Sequence, residues 1–199
     1  MTFAVSPVSL EARHTLLVPL ARADAGDLWA AAAPDLSIFD WYAHPMNTRE
    51  KIDAFVEGAL KDQAAGTALP FATVEKASRK VVGTTRFGNI DRANRRAEIG
   101  WTWLGRPWQR SALNTEAKYL MLRHAFETWL CIRVELKTDA LNAQSRAAIL
   151  RLGAKEEGIL RRHMTTATTR FRDTVYYSVL DDEWPAVKAG LEAKLARKG

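Results

Sequence analysis

Residues 98–127 read EIGWTWLGRPWQRSALNTEAKYLMLRHAFE, and the succession of patterns in this stretch decides the fold. From Ala97 to Leu104, Ile99, Trp101 and Trp103 alternate with Glu98, Gly100 and Thr102. That period of two is what a strand with two differently solvated faces requires, and it puts Glu98 on the face opposite the tryptophans. Gly105, Arg106 and Pro107 end the strand, because proline donates no hydrogen bond and its predecessor avoids helical angles. A long helix is predicted from Asn114, a favourable N-cap, with Glu116 in the first turn where the helix dipole favours an acid. Ala117, Leu120, Met121, Ala125 and Phe126 recur at three- and four-residue spacing and turn one face inward. The loop from Trp108 to Thr115 then presents free N–H groups at a positive helix end, a geometry that binds phosphate.

Working outward, Leu69 to Lys76 and Lys80 to Ile90 read as strands that join the central one through a hairpin at Asp91 to Arg96, an antiparallel meander. The basic residues Arg92, Arg95 and Arg96 fall on that hairpin, where a solvated turn is the plainer reading. Before the meander come a strand at Thr15 to Leu20, a helix from Asp24 to about Ala33, and a loop or short turn at residues 38–42. A helix capped by Thr48 follows. Met1 to Arg13 reads as an irregular lead-in. After the long helix, Ile132 to Thr138 is a strand, and the strand–helix–strand unit from Trp101 to Leu136 is a crossover that makes its two strands parallel neighbours. Asn142 caps a short helix closed by Gly153. Ala154 to Met164 and Arg170 to Leu180 form a final hairpin, and a last amphipathic helix is predicted from Asp181 onward.

The Gln109-Arg110-Ser111-Ala112-Leu113-Asn114 loop, the Thr115-Glu116-Ala117 helix start and His124-Ala125-Phe126-Glu127 together resemble the GNAT acetyltransferases. The Rim-type ribosomal-protein N-acetyltransferases and their uncharacterised relatives are the most similar branch. Asn142 with Ser145, then Leu152-Gly153-Ala154, Arg172-Asp173, Tyr177-Ser178 and Glu183-Trp184, extend the resemblance over roughly Thr15 to Trp184. It implies one α+β domain over residues 1–199, with a mostly antiparallel twisted sheet, a splayed parallel strand pair and flanking helices. It also implies acetyl-coenzyme A as cosubstrate, gripped at its pyrophosphate by the amides of Gln109, Arg110, Ser111, Ala112, Leu113, Asn114 and Thr115. Family members carry glycine at the loop positions held here by Ala112 and, often, by Arg110, and close approach of backbone to phosphate is easiest with glycine.

The chemistry of acyl transfer to an amine names further candidates. The attacking nitrogen must be neutral and something must take its proton. Glu98 on the central strand and His163, which titrates near neutral pH, are the candidate bases. By resemblance, a backbone amide among Trp101, Thr102 and Trp103 stabilises the oxyanion, Ser145 protonates the leaving thiolate, and Asn142 holds the pantetheine arm. Phe39, Trp41 and Tyr42 lie in a proline-bounded loop and are candidates for the acceptor cleft, with Trp41 foremost; exposed aromatics commonly line ligand sites. The acceptor is a protein N-terminus or a small amine. A non-catalytic domain of the same fold, binding an acyl-coenzyme A or a partner, is the other reading, favoured by the substituted loop glycines.

Global properties fit and exclude. The 199 residues suit a single domain with a substantial core, and at 47% hydrophobic the chain is not disordered. A net charge of +6 suits a polyanionic cofactor. The aromatics sit inside strand patterns and are not interleaved with basic residues, which speaks against nucleic acid. The sequence carries no signal peptide and no membrane-spanning run. The single cysteine, Cys131, suits a reducing cytoplasm and reads most simply as a small buried hydrophobe. His14, His44 and His124 lack ligand spacing, so no metal is expected. The sequence leaves room for a homodimer.

Overall fold

The computed structural model describes residues 3–166 and 168–197. Met1 and Thr2 of the expected lead-in, and the last two residues of the expected C-terminal helix, lie outside them. Eight strands form one sheet in the order β1-β2-β3-β4-β5-β6-β8-β7: β1 Leu10–Glu11, β2 Thr15–Pro19, β3 Leu69–Glu75, β4 Lys80–Asp91, β5 Arg96–Leu104, β6 Arg133–Asp139, β7 Lys155–Thr165 and β8 Phe171–Leu180. Every neighbouring pair is antiparallel except β5 with β6. The helices are α1 Ala25–Ala32, α2 Arg49–Ala64, α3 Leu113–Arg123, α4 Ala143–Leu152 and α5 Trp184–Ala196. The mixed sheet with one parallel pair is the architecture the sequence predicts.

Strand alternation assigns the two sheet faces to two cores. Leu17, Leu69, Phe71, Phe87, Ala97, Ile99, Val134, Leu136, Val175 and Tyr177 point to one face, against Ala117, Leu120 and Met121 of α3, Ile149 of α4 and Leu191 of α5. The other face packs Ala72 and Trp103 against Leu28 of α1 and Ile52, Val56 and Ala59 of α2. The α1/α2 layer lies on β3 and β4, whereas the C-terminal helices cover the far side.

The uniform alternation expected along β5 is overturned. Arg86 pairs with Gly100 but Thr84 pairs with Trp103, so two residues of β5, Trp101 and Thr102, oppose one of β4. Trp101 takes a left-handed φ of 50° in this bulge. An inserted residue inverts the inside–outside phase of everything after it. Ile99 consequently packs toward α3 while Trp103 packs toward α1 and α2, and Thr102 turns back toward α3. Glu98 ends on the same face as Trp101 and Trp103.

Three smaller expectations also change. The lead-in is not irregular throughout: β1 pairs with β2, and Phe3, Val5 and Val8 pack on the core, with the Phe3 ring 4.9 Å from that of Trp129. The long helix starts at Leu113, one turn position before the expected cap, with Ala112 at the N-cap and no side-chain cap. Past Arg123 it loosens into a π-helical turn, His124–Thr128. The last helix begins at Trp184; residues 181–183 form a turn in which Leu180 N–H donates to Glu183 Oε2 at 3.0 Å. Cys131 is buried, and burial pushes its thiol up to about 12, the behaviour of an inert core residue.

Candidate active site

The parallel pair defines the site. Strands β5 and β6 are in register only at Arg96 with Arg133, Ala97 with Val134 and Glu98 with Glu135. Beyond these pairs β5 runs on to Leu104 and β6 to Asp139 without pairing, so the sheet forks. In α/β sheets the crevice outside the carboxyl ends of parallel strands is where ligands sit. Both strands feed helices whose N-termini lie at the open end of this fork. The side chains of Gln109 and Gln144 meet there at 3.4 Å, joining the entrance of α3 to that of α4.

The entrance of α3 is built from backbone. Its first helical bond runs from Glu116 N–H to the Ala112 carbonyl, so the amides of Ala112 to Thr115 point out of the helix end. Leu113 N–H has only a long contact, 3.3 Å, to Ser111 Oγ, which itself donates to the Trp108 carbonyl. Arg110 adopts φ 60°, a left-handed conformation that favours glycine, the residue the family resemblance implies there. Asn114 does not cap: it lies inside the helix and its Oδ1 is buried without a hydrogen-bond partner among the described residues. Glu116 holds the helix in place, accepting from His14 N–H (2.9 Å) and Thr15 N–H (2.8 Å) of the β2 edge.

The entrance of α4 matches the expectation. Asn142 Oδ1 accepts from Ser145 N–H at 3.0 Å, and Gly153 closes the helix at φ 102°. Ser145 is half-exposed in the first turn.

At the apex of the fork sits an ion pair. Glu98, 3% exposed, accepts from Lys137 Nζ at 2.9 Å and Asn89 Nδ2 at 2.7 Å, both through Oε2. Its other oxygen lies over Gly100, next to the bulge. The Trp101 ring lies against Gly88, where any Cβ would stand 2.3 Å from it, and carries the Arg86 guanidinium 3.8 Å from its centroid. A non-glycine residue held at positive φ beside a buried carboxylate is the kind of strain that clusters at functional sites.

The remaining expected residues scatter around this centre. His163 lies exposed on β7 with its ring 5.8 Å from that of Tyr176; partial burial and the charges of Lys137 and Arg172 hold its pKa below the ordinary histidine value. Phe39 and Tyr42 line a cleft of about 200 Å3 with Leu36, Met46, Thr166 and Thr168, between the 36–47 segment and the β7–β8 turn. Trp41, at 37% exposed, is not part of its lining. Two of the three hairpin arginines are occupied structurally: Arg95 binds the Leu130 carbonyl, and Arg96 pairs with Asp91 and Glu135 at 3.3 Å.

Sequence reasoning missed Lys118, Arg86, Asn89 and Lys137. Lys118 is 5% exposed in the second turn of α3, and burial lowers its amine to about 7. Its position three residues before Met121 puts it on the helix's apolar stripe, and that spacing was the available signal.

Residues 14–155 match the family model described as an acetyltransferase (GNAT) domain, and the chain belongs to that family. It is similar to a Bacillus subtilis (strain 168) protein provisionally named ribosomal N-acetyltransferase YdaF, at 34% identity over 106 residues, 53% of this chain and 57% of that one. The chain thus spans a little over half the length of that curated relative. Its backbone is similar to a crystal structure of a GCN5-related N-acetyltransferase from Brucella melitensis, with a TM-score of 0.88 and 34% identity, covering 96% of this chain and 86% of that one. It also resembles the microcin C7 self-immunity acetyltransferase MccE, solved in complex with acetyl-CoA and AMP. There the TM-score is 0.76 and the identity 25%, over 85% of this chain and 93% of that one.

Proposed function

We propose that the chain transfers the acetyl group of acetyl-coenzyme A to a primary amine by direct attack. The observation that carries this reading is the fork between β5 and β6, with two helix N-termini joined through Gln109 and Gln144 at its mouth. A polyphosphate fits the α3 entrance, where outward-pointing amides and the helix dipole act together. Its extended arm then lies in the fork with the thioester near the Trp101 bulge. Acetyl-CoA in the MccE structure supports the cosubstrate.

The amine approaches as the neutral base and its nitrogen attacks the thioester carbon. Glu98, whose Oε1 lies over Gly100 beside the bulge, takes the proton, while Lys137 and Asn89 fix the carboxylate through Oε2. His163 is the second candidate base, with its lowered pKa leaving it neutral at pH 7. A backbone N–H among Trp101, Thr102 and Trp103 stabilises the oxyanion. The carbon–sulfur bond then breaks, and Ser145 Oγ protonates the thiolate and recovers its own proton from solvent. The acceptor is a protein N-terminus or a small amine, and the name of YdaF supports a ribosomal protein among these.

Calorimetric titration with acetyl-CoA and with free CoA, followed by thiol release over a panel of amines and short peptides, tests the proposal. Micromolar acetyl-CoA binding and amine-dependent thiol release are expected. Binding with no thiol release from any amine would favour the non-catalytic reading, and no binding would remove both.

A further inference from the structure

Three polar atoms on the α1/α2 face of the sheet are buried without a hydrogen-bond partner among the described residues: Trp103 Nε1, Arg86 Nε and Tyr42 Oη. Trp103 is 4% exposed and Arg86 8%. They stand together. The Phe39 ring meets Tyr42 edge-on at 5.6 Å and Trp103 at 5.2 Å. Trp103 pairs across the ladder with Thr84, two residues from Arg86 on the same face of β4. The Arg86 charge is close enough to act on the Tyr42 hydroxyl. Tyr42 and Phe39 also form part of the 200 Å3 cleft wall, so the group borders that cleft.

Buried polar groups are almost always satisfied, and three orphans in one place need a common explanation. An indole N–H and a guanidinium Nε–H can only donate, and a tyrosine hydroxyl can donate as well. The missing partner is therefore an atom with lone pairs, an oxygen. Its charge follows from the surroundings. Arg86 is already offset by Asp62 Oδ2 at 3.3 Å from Nη1, Lys137 is offset by Glu98, and Asp40 sits in the cleft wall. Among the described residues the cleft wall carries no cation for a carboxylate to meet, whereas an uncharged carbonyl meets three donors.

Resting on the acetyltransferase reading, we infer that Trp103 Nε1, Arg86 Nε and Tyr42 Oη form a receptor for an uncharged carbonyl oxygen of the acceptor. The enzyme then selects amines that carry an amide carbonyl near the nitrogen over plain alkylamines. A site built to hydrogen-bond a substrate group discriminates strongly against analogues lacking it, because its buried donors are left unpaired.

The test measures thiol release with alaninamide, with alanine, and with 3-methylbutan-2-amine, in which an isopropyl group replaces the carboxamide. Wild type, Tyr42→Phe, which keeps the ring and loses the donor, and Trp103→Phe, which loses the donor together with part of the indole, are compared. The ratio of kcat/KM for alaninamide to that for the alkylamine should fall at least tenfold in each variant, and wild type should prefer alaninamide to alanine. An unchanged ratio would mean that the three atoms hold only a structural water and would overturn the inference. So would a preference for alanine, or turnover of the alkylamine without turnover of alaninamide. Titration with acetyl-CoA separates this failure from that of the acetyltransferase reading, which alone predicts tight binding of the cosubstrate in all three proteins.

Discussion

Lys118 Nζ donates to Thr102 Oγ1 at 2.5 Å and to Thr85 Oγ1 at 2.9 Å, a buried amine held by two hydroxyls with no carboxylate beside it. A charged ammonium in that setting is penalised by lost hydration, which is why the amine titrates at about 7.

The sign of its effect on stability follows. The unfolded lysine keeps its proton to about pH 10, so between pH 7 and 10 the unfolded state binds more protons than the folded one. Stability should therefore rise with pH across that window, by up to about 1.4 kcal/mol per unit from this residue. Lys118→Met should flatten the rise and be more stable than wild type at pH 6. Urea melts of both proteins at pH 6, 8 and 9.5 measure it; parallel curves would show the amine charged in the fold.

Glu98 has a structural load and, on the proposed mechanism, a chemical one. Replacing it by Gln leaves Lys137 in a mostly buried position without its counter-charge, and breaking such a pair costs on the order of 3 kcal/mol. The double change Glu98→Gln with Lys137→Met should restore much of that loss while activity stays low. If Glu98 is the base, kcat in the single variant falls about 100-fold or more with acetyl-CoA affinity nearly unchanged. A loss of that size in His163→Ala instead, with Glu98→Gln active, would move the role to the histidine.

On the proposed mechanism, Ser145→Ala removes an interaction that grows as the thiolate leaves. Turnover should fall about tenfold while the acetyl-CoA dissociation constant changes less than twofold. Equal losses in both quantities would make the serine a binding group.

Arg110 pays a conformational penalty at its left-handed φ of 60°. Arg110→Gly should melt at or slightly above the wild-type temperature, and Arg110→Val should cost more than about 1 kcal/mol, because a β-branched side chain resists that region. Arg110→Glu should leave the melt alone and weaken acetyl-CoA binding through repulsion at the helix entrance.

The sequence carried the order of elements well, because each rests on a local period or breaker: the alternation along 97–104, the Gly105-Arg106-Pro107 stop, the Asn142 cap and the Gly153 end. What it hid were features that local patterns do not encode. Trp101 shows no mark of a bulge, since the left-handed angle is imposed by its neighbours on β4 and not by its own side chain. Asn114 has the chemistry of a cap, yet the tether of Glu116 to the β2 edge goes with a helix whose cap, Ala112, lies two residues earlier. Within the candidate site, Glu98 was named as a candidate base, and the fork and the α4 entrance were legible. The placement of Glu98 beside the tryptophans was not, because one extra residue reverses the faces. The orphaned Trp103, Arg86 and Tyr42 atoms come from strands and a loop distant in sequence, and only folding brings them together.

Three register pairs between β5 and β6, with the adjoining bond from Ile132 N–H to the Arg95 carbonyl at 2.8 Å, tie one half of the sheet to the other. Strands β1 to β5 pair in chain order, and β6, β8 and β7 pair among themselves, so the sheet has two halves sharing one seam. A molecule lying in the fork touches both halves at once and acts as a stitch. Amide exchange at Ala97 and Val134 should therefore slow together when acetyl-CoA is added, and slow more than exchange within the β2–β3 pairing, turning the weakest junction of the free chain into a reporter of occupancy.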